Sequence, residues 1–448
     1  MTITKTDIND NDIYKVFYKE LSDNHKNNVL WNIIDAGFFQ IFYACYMPSV
    51  IIVSFLKHYT RSQLMLNFPM VISSFFLMLG SFAMSFVSSK LKTKKKAVLI
   101  TGSLQRLSWS LVIASVYFFK NDRKMLIFSF LISLVIFEML QGCVSIFWQE
   151  FIGRVFLPER RGSAIGIRES IGGILGFVMG VAAVYILNNI SFPNNYITLF
   201  AIGFFAHILS IISIGMIKEP FYCPNIENNN KKPLLHVKDV LRLPVTDRIF
   251  GWYVLFALFY SGYMFIGSLY TSVGIERFGT IVGIGKLTGI INAVTLFSGA
   301  VFIFIISKIY EKTGKYSAFV IIVICMVVTP LWAMICQNFY GYMIVFILNG
   351  IITSIWIIDL NTVLDLSPIE KRHEYIAFNC LIKLFPVILY TNLGGYLTDR
   401  VSPFAPFIIS SFFCFVGLLI LLFKLGLFWK NNTKYLPCIS QIKINKIE

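Results

Sequence analysis

The chain has 448 residues, of which 56% are hydrophobic and only 14% are charged, and it contains 44 phenylalanines. Soluble domains carry about 25% charged residues, so this composition excludes an ordinary water-soluble protein. The formal net charge of +16 could indicate nucleic-acid binding. Basic cytoplasmic loops of a membrane protein produce the same excess, and we favour that interpretation.

Long apolar segments separated by short polar loops recur along the whole chain. A bilayer core about 30 Å thick needs roughly 20 apolar residues in a helix, because unpaired backbone groups cannot be left in hydrocarbon. We number the predicted spans 1 to 12 in chain order and place them at about 31–55, 64–89, 97–119, 125–148, 163–187, 196–217, 249–273, 281–307, 316–335, 339–361, 375–397 and 404–427. The predicted fold class is an all-α membrane protein with twelve transmembrane helices in two six-helix bundles.

One longer polar stretch divides the chain into halves. It contains prolines, asparagines and lysines and is typical of a flexible linker. The predicted organisation is a cytoplasmic segment at 1–28, a bundle at 29–217, a cytoplasmic linker at 218–248, a bundle at 249–428 and a basic cytoplasmic tail at 429–448. Lysine and arginine cluster after the even-numbered spans, which places both termini in the cytoplasm of a plasma (inner) membrane protein.

The two halves repeat a short pattern at an offset of about 210 residues. Pro158–Arg161 follows span 4, and Pro368–Arg372 follows span 10. Ahead of each lie a glycine, a serine, a tryptophan and an acid in the same order; the first set is Gly142, Ser145, Trp148 and Glu150, and the second is Gly350, Ser354, Trp356 and Asp359. Several echoes near one offset predict a duplicated six-helix unit, on which many secondary transporters are built.

Three motifs give the chain a resemblance to the major facilitator superfamily. Ser307–Tyr316, after span 8, resembles the loop signature G-x-L-x-D-R-x-G-R-R. Glu138–Gly142 is similar to the span 4 signature R-x-x-Q-G, and the glycines at 172, 176 and 180 resemble the span 5 ladder G-x-x-x-G-P-x-x-G-G. Together with the hydropathy pattern, the linker and the repeat, the resemblance covers residues 30 to 427.

The chain also departs from these signatures. Glu138 replaces the arginine of the span 4 motif, and Phe177 replaces the proline of the glycine ladder. The loop after span 2 has Ser89 or Lys90 where the signature has an acid. The complete ladder marks proton antiporters of the family, so its erosion weakens the argument for export.

The resemblance implies a mechanism as well as a fold. Spans 1, 4, 7 and 10 would line a central cavity between the two bundles, and rocking of the bundles would open it to each side in turn. A solute would then cross the membrane without chemical change. Aromatic side chains outnumber charged ones on those spans, which favours an amphiphilic solute.

Charged side chains within spans are candidate sites, because each costs about 2.5 to 3.5 kcal/mol at a helix centre. Arg106 in span 3 and Glu138 in span 4 lie near the middle of the bilayer, counted at about 1.5 Å per residue. We predict that they form an ion pair or a proton-accepting couple, with Gln141 as a polar neighbour. The alternative is a pair that only fixes helix packing.

Asp35 lies about one turn into span 1, close to Gln40. It could bind a cationic substrate or titrate, or it could be an interfacial acid stabilised by the helix dipole. Lys383 in span 11 is the deepest cation of the second half, and we predict that it contacts an anionic group or Asp359. Snorkelling to the interface is the alternative for Lys383, and Asp359 is expected near the interface.

A second set of residues is predicted to serve packing or gating. Gly172, Gly176 and Gly180 form one helical stripe, which lets another helix approach closely. Glu311, Lys312 and Gly314 belong to the loop signature after span 8.

Three functions are compatible with these features. A proton-coupled exporter of amphiphilic compounds is the first, a nutrient importer or facilitator the second, and a non-transporting membrane enzyme or sensor the third. The sequence has no phosphate-binding loop and no cysteine or histidine spacing typical of a metal site. We therefore expect no enzymatic activity, cofactor, metal or nucleic acid; the expected partners are a small-molecule substrate, protons and the lipid bilayer, and the expected state is a monomer.

Overall fold

The computed structural model describes residues 10–88, 91, 93–156, 158–220, 242–368 and 372–426. Most of the predicted linker and all of the basic tail from residue 429 lie outside these residues. Within them the chain is helical and has no strand.

Twelve helical stretches in the described part of the chain are long and apolar enough to cross a membrane. They are Phe17–Lys57, Gln63–Met84, Lys95–Phe119, Arg123–Val155, Ala164–Asn189, Asn194–Met216, Arg248–Val282, Ile284–Thr313, Lys315–Ile335, Phe339–Leu366, Glu374–Arg400 and Ala405–Leu425. Each overlaps the predicted span of the same number, so the predicted fold class is confirmed. Several helices extend beyond the apolar segment, and the first begins at Asp10.

Short polar residues define where several helices begin. Asp122 accepts hydrogen bonds from the backbone nitrogens of Lys124 and Met125, and Asp247 accepts them from Ile249 and Phe250. Such caps satisfy N–H groups that have no partner inside the helix. Gly314 separates spans 8 and 9 with a φ of 85°, a conformation that L side chains rarely adopt.

Four spans are not continuous α-helices. The irregular parts are Pro48–Ile52 in span 1, Ser261–Phe265 in span 7, the junction at Ser354 in span 10 and Leu421–Leu425 in span 12. In span 7 the helix Arg248–Tyr260 ends before the helix Leu269–Val282 begins, and Gly267 lies between them with a φ of 52°. Hydropathy alone predicts one uninterrupted span here.

Contacts divide the chain into two compact units that differ from the sequence halves. The first unit contains residues 1–230 and 268–300, and the second contains 231–267 and 301–448. The end of span 7 and the start of span 8 therefore pack with the first six spans. The predicted bundle boundaries at 29–217 and 249–428 stay a prediction.

Aromatic side chains form the core of each unit. In the first, Phe42 packs edge to face on Trp109, with ring centroids 5.0 Å apart, and stacks on His207 at 4.0 Å. In the second, Phe319 packs edge to face on Phe256 at 5.2 Å. The charged clusters described below lie among these buried rings.

Candidate functional site

Asp35 in span 1 lies in a buried polar cluster of the first unit. One carboxylate oxygen accepts a hydrogen bond from the Ser210 hydroxyl at 2.6 Å, and the other lies 3.4 Å from an Arg168 guanidinium nitrogen. Arg168 also pairs with Glu169 and lies over the Trp148 ring, 4.7 Å from its centroid. Asp35 is therefore a buried, paired acid.

Arg106 in span 3 binds span 6 and its own helix. It donates to the Ser210 hydroxyl at 3.1 Å, to the His207 carbonyl at 3.4 Å, and to the Gln105 side-chain oxygen at 3.0 Å. Gln105 also contacts the His207 ring nitrogen at 2.9 Å. Ser210 thus contacts both Arg106 and Asp35, so Arg106 belongs to the Asp35 cluster.

Glu138 in span 4 lies in a different environment, and the predicted ion pair with Arg106 is wrong for the described structure. Its Oε1 atom accepts hydrogen bonds from the Ser73 hydroxyl at 2.6 Å and the Tyr46 hydroxyl at 3.2 Å. The residue is 1% exposed. Among the described residues no cation pairs with it, because similar depth in the bilayer does not place two side chains on facing sides of their helices.

Asp359 in span 10 is the buried acid of the second unit. Its Oδ1 atom accepts hydrogen bonds from the hydroxyls of Tyr253 and Tyr260, each at 2.6 Å. Its Oδ2 atom accepts one from the Asn379 amide at 2.8 Å and pairs with the Lys383 ammonium. The residue is 1% exposed, so the surrounding protein encloses it, and the predicted contact with Lys383 is formed.

Each unit contains a contact between a tyrosine and a buried acid. Tyr46 of span 1 donates to Glu138 of span 4, and tyrosines of span 7 donate to Asp359 of span 10. The sequence identified these tyrosines as aromatics of the expected cavity spans but not as partners of the acids. The duplicated pattern did not predict this contact, because at its offset of about 210 residues Asp359 corresponds to Glu150 and not to Glu138.

The span 5 glycines pack closely, as predicted. A Cβ atom on Gly172 would lie 3.1 Å from a Gln40 side-chain carbon, and one on Gly176 would lie 3.4 Å from the Gln40 Cβ. A Cβ on Gly180 would lie 2.9 Å from the Ala293 backbone in span 8. Gln40 therefore lies against this stripe.

The glycine of the span 4 signature also has a packing role. A Cβ atom on Gly142 would lie 2.0 Å from the Leu77 carbonyl oxygen in span 2, and one on Gly80 would lie 2.1 Å from the Met139 carbonyl oxygen in span 4. The two helices thus meet at a reciprocal pair of glycines. The neighbouring Gln141 is partly exposed, and it has no part in the Glu138 contacts.

At the end of the loop between spans 2 and 3, the backbone is bound by an acid that follows span 6. Glu219, which follows span 6, accepts hydrogen bonds from the backbone nitrogens of Lys94 and Lys95, both at 2.9 Å, at the start of the span 3 helix. The Lys94 side chain is 1% exposed and its ammonium lies 2.6 Å from a Glu150 carboxylate oxygen. Carboxylates at a helix N-terminus are favoured by the helix dipole.

The corresponding loop after span 8 is less enclosed. Glu311 and Lys312 are exposed, and Gly314 adopts the positive φ that its turn requires. Asp365 accepts a hydrogen bond from the Tyr310 hydroxyl at 3.1 Å and lies 3.4 Å from the Lys315 ammonium. Within the described residues no group of histidine, cysteine and acidic side chains could hold a metal ion.

The twelve apolar helices define a polytopic membrane protein. The sequence model of the Major Facilitator Superfamily matches residues 34–379, so the chain belongs to that superfamily. This confirms the family resemblance and the class of function. No curated relative matches the chain in sequence.

Solved transporter structures share the fold at low sequence identity. A mutant of the nucleoside transporter NupG has 12% identity and a TM-score of 0.67, over 88% of this chain and 98% of that one. A D-xylose–proton symporter has 12% identity and a TM-score of 0.64, over 88% and 96%. A POT family transporter in complex with a thioalcohol-conjugated peptide has 11% identity and a TM-score of 0.61, over 90% and 96%.

Proposed function

We propose that this chain is a proton-coupled secondary transporter of the plasma membrane that exports a small amphiphilic solute by alternating access. It acts as a monomer with both termini in the cytoplasm. Glu138 takes up and releases the coupling proton. The basic clusters after the even-numbered spans support this orientation.

The environment of Glu138 carries the proposal. Of three buried acids, Asp35 and Asp359 have cationic partners, whereas Glu138 has only two hydroxyl donors among the described residues. Burying an ionised carboxylate with no cation beside it is costly, and binding a proton removes that cost. Both hydroxyls contact Oε1, and no described residue donates a hydrogen bond to Oε2, which is therefore able to carry the proton.

The test is solute-driven proton movement in liposomes. The full-length protein would be reconstituted with a pH-sensitive dye inside, and a solute library would be added outside at two pH values. We expect Glu138→Gln to abolish proton movement while exchange of labelled solute continues. Asp23→Asn, at an exposed acid, is the matched control and should behave as the unmodified protein. Undiminished proton movement in Glu138→Gln would exclude the coupling role.

Proton-driven uptake is the second candidate. One structural neighbour is a D-xylose–proton symporter, in which solute and proton move in the same direction, and this observation favours import. The liposome assay separates the candidates, because a symporter acidifies the compartment that gains solute and an antiporter acidifies the compartment that loses it.

A further inference from the structure

We infer that Lys383 and Asn379 form a subsite for the carboxylate end of the solute, which is a small organic acid with an amino or hydroxyl group beside its carboxylate. The inference rests on the proposed transport function and adds the chemical class of the solute. Both residues lie in the second unit.

Asp359 has no hydrogen-bond acceptor site left for a solute. Its two oxygens already accept from Tyr253, Tyr260 and Asn379 and pair with Lys383. A carboxylate offers about four lone-pair sites, and these four donors occupy them. The acid therefore holds its neighbours in place, and recognition of a solute falls to groups around it.

Lys383 has donors to spare. An ammonium group carries three donors, and among the described residues its one acceptor is Asp359. This contact holds the ammonium inside the protein, which excludes snorkelling to the interface. The side chain is 29% exposed. Charged groups inside the membrane face water or a protein interior instead of lipid, so the exposed part can meet a solute.

Asn379 contributes an acceptor beside those donors. A carboxylate can only accept, so the amide nitrogen of Asn379 must face Asp359, and the amide oxygen points away from it. That oxygen is buried, and none of the residues that the structure describes donates a hydrogen bond to it. Leaving a buried polar atom without a hydrogen bond costs about 1 to 3 kcal/mol. We therefore expect a bound solute to donate a hydrogen bond to this oxygen.

The two residues lie four apart in one helix and therefore on the same face. Their free groups are a cationic donor and a neutral acceptor, which match a carboxylate and an adjacent N–H or O–H group. A zwitterionic amino acid or a hydroxy acid fits these requirements.

Ligand-induced thermal stabilisation of the full-length protein in detergent tests the inference. The probes are alanine, leucine and phenylalanine, their 2-hydroxy acids, and their amides, which lack only the carboxylate. A ligand that binds the folded state raises its melting temperature. We expect stabilisation by at least one acid and none by the matching amide.

Lys383→Met should remove this stabilisation, and Lys286→Met, at an exposed lysine, should retain it. Because Lys383→Met alone leaves Asp359 without its cation, the double variant with Asp359→Asn provides a folded, uncharged reference. Stabilisation by amides as strong as by acids, stabilisation that survives in the double variant, or no response to any probe would overturn the inference.

Failure of the subsite and failure of the proposed function give different results. If only the subsite is wrong, neutral solutes such as sugars drive proton movement that Glu138→Gln abolishes, and the acids do not bind. If only the function is wrong, the acids stabilise the protein through Lys383 but cross no liposome membrane.

Discussion

Buried charges in this chain differ in what surrounds them, and that difference separates structural from functional roles. The contact of Lys383 with Asp359 was predictable, because both are charged residues within spans of the second half. The partners of Arg106 were not predictable, because depth in the bilayer can be counted along the sequence but the facing direction of a side chain depends on helix rotation. Glu138 was predicted to be a site because a charged side chain within a span is energetically costly. Its hydroxyl partners were not predictable from the sequence.

Arg106 belongs to the structural group, and replacing it should destabilise the protein. Arg106→Met removes the hydrogen bonds that Arg106 donates to Gln105, Ser210 and the His207 carbonyl. Removing one member of a buried charged network costs about 3 to 5 kcal/mol. We expect a clearly lower melting temperature in detergent with the remaining proton coupling unchanged. The control is Arg123→Met at an exposed arginine; equal melting of the two variants would contradict the prediction.

Helix contacts in this chain depend on glycines as much as on apolar surface. Lipid is as apolar as leucine, so helices associate in a membrane through close backbone approach and polar contacts. The glycine stripe of span 5 was predictable from its spacing of four. The pairing of Gly80 with Gly142 was not, because neither glycine belongs to a regular spacing in its helix and only the packed structure brings them together.

Alanine substitution should show that the glycine pair is required. In Gly142→Ala the new methyl group would overlap the Leu77 carbonyl oxygen and force spans 2 and 4 apart. We expect a loss of several degrees in melting temperature. Gly153→Ala in the same helix is the matched control, because an added Cβ there meets nothing within 4 Å and alanine favours a helix by about 0.5 to 1 kcal/mol. A fall of similar size in the control would remove the close-packing explanation.

Hydropathy predicted the number and order of the spans, but it did not predict which spans pack together. Residues 268–300 pack with the first six spans, although they belong to the second half of the repeat. A salt bridge of 2.8 Å between Lys57 and Glu276 is one such contact, and a chain of hydroxyls from Tyr196 through Ser54 to Thr288 is another. Contacts between residues more than 200 positions apart carry no local sequence signal.

Charge exchange tests the contribution of the salt bridge. Lys57→Glu or Glu276→Lys alone places like charges together and should increase amide hydrogen exchange in the helix Leu269–Val282. The double exchange restores opposite charges and should return protection toward its original level. The pair is partly exposed, so we expect a coupling energy of about 0.2 to 1 kcal/mol. Equal exchange in the single and double variants would show that the hydroxyl contacts alone hold the helix.

The cap on span 3 ties a membrane helix to the chain segment that joins the two halves. Glu219 lies two residues before the residues that the structure leaves undescribed, and its carboxylate holds the first turn of span 3. A pulling force on that connecting segment would therefore be transmitted to the span 3 helix through Glu219. A fusion tag inserted between the two halves therefore needs a flexible linker on the side of Glu219. Without that linker, the tag would disturb the transporter.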